Sequence, residues 1–218
     1  HAGVLANLAM TQWQLGRLED AEANCARAIV ADPNLVQARA LHAATAEARG
    51  ADSEAIERYE KALALAPEMP TLLHGLANLN RRQGRLQKAR QFAERMVTAA
   101  PLSAEAHDIL GAIHLALDDL DGADQSLHKA LAINPDQASA QSNLGALLAE
   151  RRQWDEALIH HDAALALAPN LAEAHNNRGN ALISLGRLSE AGYAFDRALE
   201  LDPDFSDAQF NQALLRLK

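Results

Sequence analysis

The sequence is poor in cysteine, in aromatic residues and in long apolar runs. Cys25 is the only cysteine in 218 residues, which excludes an internal disulfide and a multi-cysteine metal site. Aromatic residues make up 4% of the chain, so alanine and leucine must supply most of the apolar surface. Because alanine is the strongest helix former, this composition favours tightly packed helices. No run of about 18 apolar residues occurs, and no membrane-spanning helix is expected.

Positive charge is also scarce. The chain has 20 Lys and Arg against 29 Asp and Glu, a formal net charge of −9. Nucleic-acid binding usually requires a basic stripe, so no nucleic-acid partner is expected, and the lack of long apolar runs predicts no membrane partner. The opening residues HAGVLANLAM lack the charged start and cleavage pattern of a signal peptide. These absences predict a cytoplasmic protein.

Patterns that carry catalysis or hold cofactors are missing. The sequence has no G-x-S-x-G nucleophile turn and no glycine loop that would cradle a phosphate. It contains nine histidines, but His107 and His114 lie two helical turns apart, and no HExxH or paired cysteine accompanies them. We therefore expect no catalytic residue, no metal site and no cofactor, and a chain that is not itself an enzyme.

Proline is rare but regularly placed. Six of the seven prolines recur at intervals of 34 residues, and only Pro70 lies outside this series: Pro33, Pro67, Pro101, Pro135, Pro169 and Pro203. A fixed period of this size is typical of a repeat array, in which each unit packs mainly on the next. The chain is thus predicted to be one array of six repeats with a terminal helix over 206–218: repeats 2–35, 36–69, 70–103, 104–137, 138–171 and 172–205.

The last repeat shows the pattern within each unit. Apolar or small residues recur at helical spacing on both sides of Gly186, which predicts two amphipathic helices joined by a tight turn. Glycine ends the first helix because it adopts the left-handed backbone conformation without steric cost. Pro203 ends the second, because a proline ring cannot continue the helical hydrogen-bond ladder. Such a hairpin needs neighbouring hairpins to bury its apolar faces.

Small residues occupy the same positions in every repeat. One column is alanine throughout: Ala21, Ala55, Ala89, Ala123, Ala157 and Ala191. A second column is always small: Ala9, Ala43, Ala77, Gly111, Gly145, Gly179 and Ala213. Small side chains at these positions are what close helix crossings require.

These columns, the glycine turn and the closing proline together resemble the tetratricopeptide repeat. The resemblance covers Ala2 to Lys218 and implies an all-α solenoid that winds as a right-handed superhelix. It also implies that the first helices of the hairpins line a concave groove that binds a peptide. Because many unrelated proteins carry such arrays, the resemblance specifies fold better than function.

Several positions depart from the repeat pattern. Asp118 and Arg152 replace the turn glycine, so these turns either use another geometry or accept strain of about 1 kcal/mol. Asp52 stands in a leucine column and is predicted to cap a helix. Trp154 stands in the same column and is predicted to lie in the core.

The groove column contains three asparagines one repeat apart: Asn143, Asn177 and Asn211. An amide offers both a donor and an acceptor, so such a ladder can bond a peptide backbone of any sequence. The repeat array of O-linked N-acetylglucosamine transferase is similar in this respect. The alternative is that these side chains bond neighbouring helices. If the ladder binds ligand, changing all three to alanine should leave the melting temperature nearly unchanged.

Other candidates for peptide binding lie beside this column. Neighbouring columns contribute four side chains, namely Asn176, Asn180, Asn78 and His74. Arg81 and Arg82 form a basic pair that would either bind a partner's carboxylate or face solvent. Trp13 either joins an apolar groove lining with Met10, Leu41, Ile109 and Leu115 or packs under a preceding repeat.

The leading functional hypothesis is a non-catalytic scaffold that binds a protein or peptide in its groove. One alternative is that the chain is the substrate-recognition arm of a larger bacterial enzyme of the glycosyltransferase type. Another is a structural array that associates end to end through its apolar terminal faces. The reading frame beyond Lys218 would test the first alternative, and the mass in solution would test the second.

Overall fold

The computed structural model describes residues 1–216, and the regular structure within that range consists of thirteen α-helices. The chain divides into two compact units, His1–Pro101 and a second that begins at Leu102. The first unit contains six helices: α1 (Ala2–Gln14), α2 (Leu18–Ala31), α3 (Val36–Ala48), α4 (Asp52–Leu63), α5 (Pro70–Arg82) and α6 (Leu86–Ala99).

The second unit contains seven helices: α7 (Ala104–Ala116), α8 (Leu120–Ile133), α9 (Ala138–Glu150), α10 (Trp154–Leu167), α11 (Ala172–Ser184), α12 (Leu188–Leu201) and α13 (Ser206–Leu215). The prediction of an all-α fold built from helical hairpins is confirmed. The predicted terminal helix corresponds to α13, and positions 217–218 lie outside the described residues.

Each hairpin turns through one residue with positive φ. At the end of α11, the Gly186 N–H donates to Ile183 O at 3.0 Å, and the Arg187 N–H donates to Leu182 O at 2.9 Å. This pattern satisfies the last helical carbonyls when the residue between the helices is left-handed. Four such turns use glycine with φ between 70 and 75°.

The two turns without glycine adopt the same geometry. Asp118 has φ 58° and Arg152 has φ 60°, and the Gln153 N–H donates to Leu148 O at 2.8 Å. Of the two outcomes expected from the sequence, strain in an unchanged turn is therefore the correct one.

Small residues are buried between the helices, as the alanine column predicted. All six members of the alanine column are fully buried. Within each unit, a first helix packs on its own second helix and on the first helix of the next hairpin. This arrangement leaves one face of α9 and α11 lined by residues of the asparagine column and its neighbours, and it positions the candidate site.

Two sequence predictions about single side chains are wrong. Asp52 makes no capping hydrogen bond at the start of α4; its carboxylate accepts a hydrogen bond from Arg82 Nη2 at 2.7 Å. Trp154 stands at the first position of α10 and is only half-buried. Its exposed side contributes to the pocket described below.

Candidate functional site

A polar pocket of about 490 Å³ lies in the second unit, between α9, α10 and α11. Alanines on α9 leave room for it, and polar groups from all three helices and one turn surround that space. The lining residues are Ala146, Ala149, Glu150, Arg152, Trp154, His161, Asn177, Asn180 and Ser184. The asparagine column thus borders a real depression at Asn177.

Two amides on α11 face this pocket. Asn180 is exposed and Asn177 is half-buried, one helical turn apart on the same face. Neither side chain bonds another residue within positions 1–216. Each therefore presents a donor and an acceptor to whatever enters the pocket.

His161 forms part of the pocket floor. Its side chain is fully buried, and both ring nitrogens have no hydrogen-bond partner in the described part of the chain. The ring lies flat against Gly145, since a Cβ added at Gly145 would stand 2.6 Å from His161 Cε1. Burial lowers the pKa of His161 to about 4, so the imidazole is neutral at physiological pH.

Three other asparagines of the predicted set are engaged within the protein. Asn143 Nδ2 donates to Asp108 Oδ1 at 2.7 Å, and Asp108 also accepts from Ser139 Oγ at 2.6 Å. Asn211 Nδ2 donates to Oδ1 of the buried Asn176 at 3.0 Å. These bonds join successive hairpins. They give a structural role to Asn143, Asn176 and Asn211, which is the alternative to ligand binding stated above.

The first unit has an apolar pocket of about 270 Å³ between α1, α3 and α5. Its apolar lining comes mainly from six side chains: Met10, Trp13, Leu41, Tyr59, Met69 and Leu72. Trp13 is 36% exposed. The structure thus brings together three of the five residues expected to form an apolar lining. Ile109 and Leu115 belong to the second unit, where Leu115 packs on the Ala123–Leu127 cluster.

The remaining candidates lie on α5. Arg82 Nη2 pairs with Asp52 at 2.7 Å and with Glu47 at 3.7 Å. Arg81 is exposed at the helix end, and Asn78 and His74 are half-buried. None of these four side chains lines the apolar pocket, so the structure does not gather them with Trp13.

Titratable groups elsewhere are arranged for stability. Burial raises the pKa of the Cys25 thiol to about 11, so it is a poor nucleophile at neutral pH. Burial acts to raise the pKa of Glu22, but Arg58 and Arg49 hold it below its usual value. Residues 1–216 contain no group of three His, Cys, Asp or Glu side chains placed to hold a metal ion. Over the same range, no helix is long and apolar enough to cross a membrane.

Family models described as tetratricopeptide repeat match residues 2–35, 48–113, 104–137, 137–168 and 172–205. The chain belongs to the tetratricopeptide repeat family. Proteins of this family generally act as non-catalytic scaffolds for protein–protein interaction. A comparison with curated protein sequences gives no match.

Solved structures share the tetratricopeptide fold. A chain of the APC/C hetero-tetramer Cut9–Hcn1 is 16% identical with a TM-score of 0.87; the match covers 99% of this chain but only 43% of that one. The thermophilic protein TTC0263 of Thermus thermophilus is 25% identical, with a TM-score of 0.74 and coverage of 84% of this chain and 100% of that one. Pseudomonas aeruginosa pilF is 21% identical, with a TM-score of 0.78 and coverage of 98% and 97%.

Sequence reasoning missed His161 and Trp154 as pocket residues. Trp154 was predicted only as a core residue, and His161 was not considered beyond the metal question, although it stands in a column that packs the repeats. A signal for His161 was present, because its column otherwise holds Cys25, Tyr59, Ala93, Leu127 and Phe195. A basic ring among side chains that are mostly apolar is unexpected at a packing position.

Proposed function

We propose that this tetratricopeptide repeat chain is a non-catalytic scaffold that binds a peptide segment of a partner protein. The observation that carries the proposal is the polar pocket of the second unit, where Asn177 and Asn180 present amides with no partner among the described residues. Concave sites with a few convergent polar groups are the usual places for ligands.

The pocket suits a peptide because it is rigid before binding. Asn177 and Asn180 are fixed on α11, which packs on α9, α10 and α12. A site held by packed helices loses little conformational freedom on binding, so most of the ordering cost falls on the ligand. Paired donors and acceptors match the alternating N–H and C=O groups of an extended chain.

The apolar pocket of the first unit supports the same class of ligand. Trp13 and Met10 from α1 face Leu41 of α3 across an open depression. Exposed aromatic and methionine side chains are enriched where proteins bind one another. We infer that this pocket accepts an apolar side chain of a bound protein.

Selection from a random peptide library displayed on phage tests the proposal. The intact chain is the bait, and selected peptides are then measured against the double variant Asn177→Ala with Asn180→Ala. We expect about tenfold weaker binding, because two hydrogen bonds are lost, while the melting temperature stays unchanged.

Asn170→Ala is the matched control, since Asn170 is exposed in the turn between α10 and α11 and does not line the pocket. It should leave both binding and melting unchanged. Selected peptides that bind the double variant as well as the wild type would contradict the assignment of this pocket.

A further inference from the structure

His161 stands at a position that packs the repeat and yet carries two unused polar atoms. In the next hairpin, Phe195 fills the same column and lies against Gly179, as His161 lies against Gly145. Packing alone is therefore satisfied by an apolar ring. The imidazole adds a donor and an acceptor, and both are fully buried without a partner in the described chain. Buried polar groups in native proteins are nearly always hydrogen-bonded, so this exception requires an explanation.

The equivalent ring in the first unit shows how the fold normally satisfies such a group. Tyr59 occupies the column of His161, and its hydroxyl donates to Glu47 Oε2 at 3.0 Å. In the hairpin of His161, the position of Glu47 is taken by Ala149. The side chain that would bond the ring is absent, and Ala149 lines the pocket instead. The second unit thus has a space where the first unit has an internal partner.

The other pocket groups define what can fill that space. Asn177, Asn180 and Ser184 line it, and these neutral side chains offer both donors and acceptors. The lining charges are one carboxylate, Glu150, and one guanidinium, Arg152. An anionic ligand would meet Glu150 and a cationic ligand would meet Arg152, whereas a neutral group with a donor and an acceptor meets no like charge.

We propose that the pocket recognises an amide group of the bound segment and that His161 is its deepest hydrogen-bonding contact. This inference rests on the proposed function and names the chemistry of the ligand at that site. Amides occur in asparagine and glutamine side chains and in the peptide bond, so the experiment must separate these sources. The neutral state of the imidazole agrees with an amide, because one ring nitrogen then donates and the other accepts.

The direct test observes the His161 ring by NMR in the intact, ¹⁵N-labelled chain. The protein contains nine histidines, and comparison with the spectrum of His161→Phe assigns this one. The probes are N-acetyl-glutamine methylamide, with a side-chain amide; N-acetyl-alanine methylamide, with backbone amides only; and acetate, a carboxylate without an amide. We expect a saturable shift of the His161 ring nitrogens with the first or the second probe and none with the third.

Two variants separate ligand binding from folding. Ala149→Glu restores the carboxylate that Glu47 supplies to Tyr59, so it should bond His161 internally and abolish the probe-induced shift. Ala132→Glu is the control, because Ala132 is exposed on α8 away from the pocket lining, and it should leave the shift unchanged. His161→Phe should stay folded and bind the amide probe about 5- to 10-fold more weakly.

The inference is overturned if no amide probe shifts the His161 ring, which would mean that ordered water satisfies the nitrogens. It is also overturned if acetate, which has no amide, shifts the His161 ring and binds more tightly than both amide probes. These outcomes are distinct from failure of the proposed function. Phage-selected peptides that need Asn177 and Asn180 but leave His161 unperturbed would preserve the scaffold proposal and remove only the amide assignment.

Discussion

At the scale of single residues, the burial of His161 makes the stability of the chain depend on pH. Its ring fills a core position, but burial without a partner disfavours the charged form and lowers its pKa from 6.5 to about 4. The facing charged groups include Asp162 and His160 on its own helix and Arg178 on α11; Asp162 opposes the other two. Desolvation therefore dominates, and the group is held neutral in the folded state.

This lowered pKa predicts acid-sensitive stability. Between the unfolded pKa of 6.5 and the folded pKa of about 4, the unfolded chain binds a proton that the folded chain does not. The free energy of unfolding is thus highest above the unfolded pKa. It falls as the pH decreases towards the folded pKa, by at most about 3 kcal/mol. His161→Phe should remove this loss, as measured by urea unfolding near pH 7 and near pH 4.5.

His128→Gln, an exposed change on α8, is the control for a general effect of removing a histidine. A stability difference between wild type and His161→Phe that does not change with pH would show that His161 titrates similarly in both states.

Asparagine residues of one column have different partners. Asn143 bonds the carboxylate of Asp108, which is only 5% exposed, while Asn177 has no partner among residues 1–216. The difference arises from the preceding hairpin: α7 carries the carboxylate of Asp108 beside Asn143, whereas the equivalent position on α9 is Ser142. Equal positions in the period therefore do not imply equal roles.

At the scale of elements, the hairpin turn is the feature that every repeat shares. Its left-handed residue has positive φ in all six hairpins of the described chain. In four of these turns glycine adopts that conformation without steric cost. In the other two, Asp118 and Arg152 adopt it despite having a side chain. The turn is thus set by the hydrogen-bond pattern that ends the helix, which forms even with an unfavourable residue.

Reciprocal substitutions should reveal the cost of these turns. Arg152→Gly relieves left-handed strain and should stabilise the chain by up to about 1 kcal/mol. Gly186→Arg should destabilise it by a similar amount, because an added Cβ there meets no atom within 4 Å and only backbone strain remains. Chemical denaturation of both variants measures the two effects.

A stabilising effect of Gly186→Arg would contradict this account of the turn. Asp118→Gly offers an independent check in another hairpin, where φ is 58°, with the same expected sign as Arg152→Gly.

At the scale of the whole molecule, stability is distributed along the chain. Within each compact unit, helices in contact belong to one hairpin or to adjacent hairpins. A stack of this kind has no central core, and its stability is approximately a sum of hairpin and nearest-neighbour terms. A destabilising substitution should therefore lower stability only in its own hairpin and in the adjacent hairpins.

Hydrogen exchange on the intact chain tests this localisation. Asn143→Ala removes the 2.7 Å bond to Asp108 and should lower local stability by about 1–2 kcal/mol. We expect faster amide exchange in α7 and α9, and unchanged exchange in α1 and α3. Asn177→Ala is the matched control on α11 and should change neither region.

A uniform increase in exchange across all helices of the Asn143→Ala variant would instead indicate one cooperative folding unit. Loss of stability in this variant would also argue against the expectation that Asn143, Asn177 and Asn211 can be changed together to alanine with melting nearly unchanged.

The sequence by itself determined the all-α class, the hairpin and its turn residues, and the buried alanine column. These features follow from the 34-residue spacing of prolines and from backbone preferences of glycine, proline and alanine, which act within a few residues. It also predicted Asn177, Asn180 and Trp13 as candidates for peptide binding, and the structure places them on pocket linings.

Only the tertiary structure decided which polar groups are already paired. Asn143 and Asn211 bond side chains 35 residues earlier in the chain, and His161 lacks the partner that Tyr59 obtains from Glu47. Periodicity places such residues in columns, but a hydrogen bond requires two atoms within about 3 Å. That distance depends on how neighbouring hairpins pack, and this packing is why Trp154 and His161 line a pocket at positions the period assigns to the core.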